Sequence, residues 1–302
     1  MRFFKVHLIA ATVSWLYASH AHANGFGNDC WCIECGCVRS LGPTSTRTSA
    51  ELDSVVNELG TVGQEVVCDA KYLLTSPLRI DRKSALIVGG VAATIGGLMA
   101  GDRSIQRAFQ ENRTTATNDL ARTLETIGFA RTVLGANVAL IGAGWLFREH
   151  EAGNRLMRTA LVSLESQLFV EGIVGVTKFG VGRARPTAEE GVHSFSPFDG
   201  FDTSFPSSHA ARSFAVAAVF AESYPQPVPF LAYTTATLIA LSRIQLNEHF
   251  ASDVLTGAAL GFFVGKALSW RHKNPDFLHG MNIVPFVPAA HSGLGLTIHG
   301  RF

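Results

Sequence analysis

Charge and cysteine are both scarce in this chain. Of 302 residues only 16% are charged, and the formal net charge is +1. No basic tract with interleaved aromatics occurs, which excludes a nucleic-acid footprint. There is no G-x-x-x-x-G-K-[ST] loop and no G-x-G-x-x-G fingerprint, so nucleotide chemistry has no cradle here. The pairs Gly89-Gly90 and Gly96-Gly97 lie inside apolar stretches, where close helix packing is the expectation. Five cysteines are present: Cys30, Cys32, Cys35 and Cys37 crowd together and Cys68 stands apart. Two disulfides and one remaining thiol are expected, with a small metal site as the alternative, although C-x-C-x2-C-x-C is not a standard zinc spacing. No apolar lipobox residue precedes Cys30.

What the chain does have is three short blocks rich in reactive and cationic groups. They are Lys178 to Pro186 (KFGVGRARP), Pro206 to His209 (PSSH) and Ser242 to Asp253 (SRIQLNEHFASD). Together they hold two histidines, the carboxylates of Glu248 and Asp253 and at least three fixed cations, with no carboxylate cluster nearby for Mg²⁺. Phosphoryl transfer without a metal needs this set: a nucleophilic histidine, a second histidine as proton donor, and cations for the phosphoryl oxygens. His249 and Asp253 are four residues apart and share a face if helical, so the carboxylate is expected to fix the imidazole tautomer. Ser207 and Ser208 precede the apolar run Ala210 to Phe220, a helix start whose hydroxyl and N–H groups suit an anion. Lys178 and Arg185 lie about two helical turns apart, with Pro186 marking the exit from that helix.

The three blocks resemble the type 2 phosphatidic acid phosphatase superfamily, whose signature reads K-x6-R-P, then P-S-G-H, then S-R-x5-H-x3-D. The match runs from Lys178 to Asp253, and the segments from about Ser84 to Trp270 fit that family's helical core. The resemblance implies that Lys178, Arg185 and Arg243 bind phosphate, and that Ser207 and Ser208 add hydrogen bonds. His209 would be the general acid, His249 the nucleophile and Asp253 its partner. One position departs: Ser208 stands where the family has glycine, and its side chain narrows the expected pocket. The implied activity is a metal-independent phosphatase acting through a phosphohistidine on a phosphorylated lipid, an isoprenoid phosphate or a small phosphomonoester. No cofactor is expected, and vanadate should inhibit. Two alternatives stand beside this. A vanadate-dependent haloperoxidase would hold vanadate with the same cations as its prosthetic group, and an inactive lipid-binding membrane protein would keep a relic site.

Around the blocks, Arg183 reads either as a fourth phosphate cation or as a solvated helix-end arginine. Glu248 is expected to be exposed, and Ser204 and Asp202 are candidate substrate contacts. His150, His193, His272, His279, His291 and His299 are assigned no role.

The expected fold is all-α: a bundle of about six core helices, an amphipathic N-terminal helix and a short β-like C-terminal tail. Residues 1–23 read as a signal peptide, with Arg2 and Lys5, an apolar stretch and Ala21-His22-Ala23. A cysteine-rich segment and linker (24–50), an amphipathic helical segment (51–83), the core (84–270) and a tail (271–302) follow. Core helices are expected at 84–101, 120–147, 155–179, 209–223, 228–242 and 253–270. Gly257, Gly261 and Gly265 mark a close-approach stripe on the last. Several helices are apolar enough to span a bilayer. Against spanning stand the mean hydropathy of +0.21, the polar Glu165, Gln167 and Glu171, and a helix parity that would turn the site inward. The expectation is therefore an exported protein, periplasmic or membrane-associated, with an outward-facing site. An integral inner-membrane protein is the alternative.

Overall fold

The computed structural model describes residues 64–273 and the backbone of two strands, Met281–Phe286 (β1) and Gly295–Gly300 (β2). The signal peptide, the cysteine-rich segment, the linker and the first part of the amphipathic helix lie outside the described residues. Two compact units divide the chain. One contains helix α1 (64–75) and the antiparallel pair β1–β2, with Ile283 opposite Ile298. The other, Ser76–Lys273, carries all three blocks.

In that second unit, seven α-helices follow a short 3₁₀ turn: α2 (Arg82–Glu111), α3 (Thr115–Gly128), α4 (Ala130–Leu146), α5 (Glu151–Val181), α6 (Ser208–Ser223), α7 (Val228–Gln245) and α8 (Ala251–Lys273). Local chemistry sets several ends. The Asp81 carboxylate accepts from the Ser84 N–H at 2.9 Å, and Thr114 and Thr117 close a capping box on α3. Gly182 ends α5 in the left-handed region at φ 61°, where a Cβ would lie 1.9 Å from the Ser196 carbonyl oxygen.

Helix α6 sits at the centre, its alanines 210, 211, 215 and 218 wholly buried. Across it lies the glycine stripe of α8. A Cβ at Gly257, Gly261 or Gly265 would lie 2.3, 1.9 or 2.5 Å from the carbonyl oxygens of Ser207, Ala211 and Ala215. The two helices thus meet backbone to backbone.

Three sequence expectations change. The helix expected at 120–147 is two, α3 and α4, meeting at a 54° bend. At the bend Gly128 packs where a Cβ would lie 2.5 Å from Ile239 and 3.0 Å from the His209 ring, and Phe129 is extended. Helix α5 stops at Gly182, so Lys178 and Arg185 do not ride one helix; Arg183 to Arg185 lie on the loop beyond it. Finally, Gly89, Gly90, Gly96 and Gly97 have no neighbour within 4 Å at their Cβ positions, so they serve no close packing in this unit. The face of α2 they share is apolar and open, with Leu86 74% exposed.

Helices α2, α5 and α8 are long and apolar enough to cross a membrane, and the bent pair α3–α4 passes the same test jointly. Three polar residues of α5, Glu165, Gln167 and Glu171, are paired with other helices. The amide of Gln167 meets Asn137 and the Ala130 carbonyl, Glu171 accepts from Arg212, and Glu165 meets His272. Polar groups turned to partner helices are compatible with a hydrocarbon surround.

Overpacking dominates the cost at the α6–α8 contact. Gly261→Ala should lower stability by about 3 kcal/mol or prevent folding, whereas Gly96→Ala should not lower it. Thermal unfolding of the detergent-solubilised variants checks this.

Candidate active site

The three blocks meet at one end of the helical unit, where α5 finishes and α6 and α8 begin. Lys178 is buried in the last turn of α5, where its ammonium donates to the Thr203 carbonyl. Arg185 reaches back from the loop. Arg243 is buried near the end of α7, and the chain then turns on the Arg243 carbonyl, which accepts from the N–H groups of Glu248 and His249. That turn delivers His249 to the site immediately before α8.

His249 does not share a helical face with Asp253, because it precedes the first residue of α8. Its Nδ1 lies 3.9 Å from Asp253 Oδ2, too far for a hydrogen bond. The carboxylate is held elsewhere: Oδ2 accepts from the Phe250 N–H at 2.9 Å, and Oδ1 pairs with Arg183 at 2.6 Å. Ser204 fills the gap. Its hydroxyl donates to Asp253 Oδ2 at 2.5 Å and sits 3.4 Å from His249 Nδ1. A hydroxyl expected to touch substrate therefore links the carboxylate to the imidazole. No sequence signal gave this role, since Ser204 lies 45 residues from His249 in a polar loop.

Ser207 N-caps α6, with its N–H donating to the Asp253 carbonyl at 3.1 Å, so only the amides from Ser208 onward remain as first-turn donors. Ser208 is half-buried at the first position of α6. His209 follows, edge-on to Phe129 with ring centroids 5.4 Å apart. Ser207 Oγ, His209 Nε2 and Arg243 Nε are all buried and make no hydrogen bond among the described residues. Two donors and a ring nitrogen of this kind suit an oxyanion, whether phosphate or vanadate.

Both arginines also have carboxylates. Arg185 pairs with Asp202 at 2.7 Å and Glu248 at 2.6 Å. Arg243 pairs with Glu125 of α3, and Glu248 lies 3.7 Å from it. Glu248 is thus half-buried and engaged rather than free in solvent, and exposed Asp202 meets Arg185. Arg183 is neither a phosphate cation nor a solvated arginine, because it is fully buried among Asp102, Ser252 and Asp253.

Both histidines are held uncharged. Burial, followed by the charges of Lys178, Arg185 and Arg243, drives His249 well below the ordinary imidazole range. Burial, then Arg243, Arg212, Arg185 and Lys178, pushes His209 down to about 3. A neutral His249 is a competent nucleophile at pH 7. His209 holds a proton there only when an anion offsets the surrounding cations.

The family model of the PAP2 superfamily matches residues 159–276, the stretch that carries all three blocks. That stretch is PAP2-like. A lipid A 1-phosphatase of Porphyromonas gingivalis is 34% identical over 140 residues, 45% of this chain and 28% of that protein. Phosphatidylglycerophosphatase B of Bacillus subtilis is 28% identical over 200 residues, 62% of this chain and 92% of that protein. The chain spans 28% to 57% of the length of the lipid A 1-phosphatases it matches. Among solved structures, a transmembrane PAP2-type phosphatidylglycerolphosphate phosphatase from Bacillus subtilis superposes with a TM-score of 0.47 and 23% identity, over 64% of this chain and 96% of that one. The PAP2 segment contains all eight residues singled out from the sequence.

An oxyanion entering this pocket should bring a proton with it. The free His209 is deprotonated above about pH 3, and a bound dianion raises its affinity for a proton. Phosphate affinity should therefore rise as pH falls towards 6, with uptake of about one proton per phosphate. Calorimetry in two buffers of different ionisation enthalpy measures this, and His209→Gln should abolish the uptake.

Proposed function

We propose that this protein is a metal-independent phosphatase that hydrolyses the phosphomonoester of a phosphorylated lipid through a phosphohistidine at His249. One observation carries the reading: buried His249 and half-buried His209, both uncharged, face Lys178, Arg185 and Arg243, beside polar atoms with no partner among the described residues. The names of the matched relatives, phosphatases of lipid A and of phosphatidylglycerophosphate, support the lipid class. The three helices long and apolar enough to cross a bilayer support a membrane setting.

In this mechanism Nδ1 of His249 is directed to Ser204 and Asp253, leaving Nε2 for phosphorus. The attack forms the N–P bond while the ester P–O bond breaks. His209 gives its proton to the departing alkoxide, and Lys178, Arg185 and Arg243 hold the charge on the transferred oxygens. Water, deprotonated by His209, then attacks the phosphohistidine and releases inorganic phosphate, restoring both histidines. The carboxylates on the cations keep the pocket near neutrality until substrate arrives. Asp202 and Glu248 sit on Arg185 at the exposed rim, and an entering phosphate competes with them for that guanidinium.

The site lies where α5 ends and α8 begins, while Arg155 and Arg158 lie near the start of α5, and Arg271 and Lys273 at the end of α8. We place the basic end on the cytoplasmic side and the site outside, following the bias of cytoplasmic loops towards Lys and Arg.

His249→Ala should lower kcat at least about 10⁴-fold and remove the acid-labile, base-stable phosphoenzyme trapped by rapid quench. EDTA should leave wild-type turnover of p-nitrophenyl phosphate and phosphatidic acid intact. A wild-type yield of adduct in His249→Ala would refute the nucleophile. Halide oxidation by the vanadate-loaded protein, with negligible phosphatase activity, would favour a haloperoxidase instead.

Orientation is tested separately by single cysteines at Arg158 and Thr187 in a cysteine-free background. An impermeant reagent applied from the periplasm should label Thr187→Cys alone. Labelling of both positions would mean an exported domain that does not span.

A further inference from the structure

Behind the catalytic face lies a second group of charges that the mechanism above leaves without a task. Arg183 has no solvent exposure, and the carboxylates of Asp102 and Asp253 on either side of it have none. A buried guanidinium is tolerable only when its five N–H groups are satisfied. Here Nε and one NH2 hydrogen go to the Val192 carbonyl, and the other NH2 hydrogen goes to Asp102 at 2.7 Å. NH1 donates to Ser252 Oγ at 2.7 Å and to Asp253 Oδ1 at 2.6 Å. The plane is further fixed against the Phe250 ring, with the guanidinium carbon 4.3 Å from the ring centre.

We infer that Arg183 and Asp102 are positioning residues for His249, acting through Asp253 and Ser204; the inference rests on the phosphatase reading above. With Oδ1 pinned by Arg183, the Asp253 carboxylate cannot rotate. Its Oδ2 is therefore fixed where the Ser204 hydroxyl reaches it, and that hydroxyl lies 3.4 Å from His249 Nδ1. Asp102 contributes charge as well as geometry. Arg183 alone would cancel the negative charge of Asp253. With Asp102 present the three groups together carry one net negative charge behind an imidazole that becomes positive as it takes the phosphoryl group.

A simple tie between helices does not account for this arrangement. Asp102 already holds the start of α8 through the Ser252 N–H at 3.0 Å and the Ser252 hydroxyl at 2.6 Å. A neutral hydrogen-bonded pair would serve that purpose without burying a cation. The guanidinium is required only if its second face has Asp253 to orient. Through this contact α2, which contributes none of the three sequence blocks, becomes part of the catalytic apparatus.

The test uses the full chain in detergent and begins with Asp102→Asn, which keeps the shape and removes the charge. Its kcat on phosphatidic acid should fall about tenfold with KM unchanged, the pattern of a group felt only in the transition state. In an Asp253→Asn background the same change should cost less than about twofold, because its route to His249 is already cut. Arg183→Lys should recover part of the rate lost in Arg183→Gln. Losses that multiply independently across the Asp102→Asn and Asp253→Asn pair would overturn the inference. A reduced melting temperature with normal kcat in the folded fraction would overturn it too.

A second measurement does not need turnover. The ¹⁵N ring signals of His249, assigned by their loss in His249→Gln, should report one tautomer in the wild type and a mixture in Asp102→Asn. An unchanged tautomer in the variant would refute the positioning role. A wild-type protein that hydrolyses no phosphomonoester would refute the phosphatase reading instead, while the ring signals would still decide between the two accounts of Arg183.

Discussion

Like charges gathered in a dry place repel, and this structure is organised around that constraint. Lys178, Arg185, Arg212 and Arg243 converge on two histidines at the end of a bundle whose interior is mostly alanine, glycine and valine. In such surroundings a cation without a counter-charge is costly. Every arginine of the group therefore has its own carboxylate: Glu125 from α3, Glu171 from α5, and Asp202 and Glu248 from the loops. Helices far apart in sequence are drawn to one point because each must deliver an anion there. The bend between α3 and α4 belongs to the same arrangement, since it leaves the Gly128 carbonyl to accept from Arg212 at 2.7 Å.

Neutralisation by carboxylates differs from neutralisation by backbone carbonyls in being exchangeable. Glu125 and Glu171 hold Arg243 and Arg212, both nearly buried, whereas the partners of Arg185 lie at the rim, where Asp202 is open to solvent. The inner cations are thus fixed, and the outer one is free to change partners. A site with both kinds of cation is suited to an anion that enters from one side and rests against a rigid wall on the other.

The reactive groups were legible in the sequence because chemistry ties their identity to spacing. Lys178, Arg185, His209, Arg243, His249 and Asp253 all come to one place. The gross fold was equally legible, since apolar runs of helical length leave few alternatives. What was not legible depended on contacts across the fold. The break at Gly128 and Phe129 follows from room needed by Ile239 and the His209 ring, which no local pattern reveals. Gly89 and Gly96 look like Gly261, yet only the last meets a neighbouring backbone. Ser204 reads as one polar residue in a polar loop, and Asp102 as one carboxylate at the end of an apolar run. Their roles come from partners 49 and 81 residues away.

The glycine stripe of α8 has a consequence for the dimensions of the pocket. Because α6 and α8 touch through backbone atoms, the gap between His209 at the head of one and His249 beside the head of the other is set by main-chain van der Waals radii. Side-chain rotamers, which interconvert readily, have little part in it. The gape between the two histidines is thus fixed by the least compliant material a protein possesses. Thermal agitation of the core alters what surrounds the two histidines far more than it alters the distance between them.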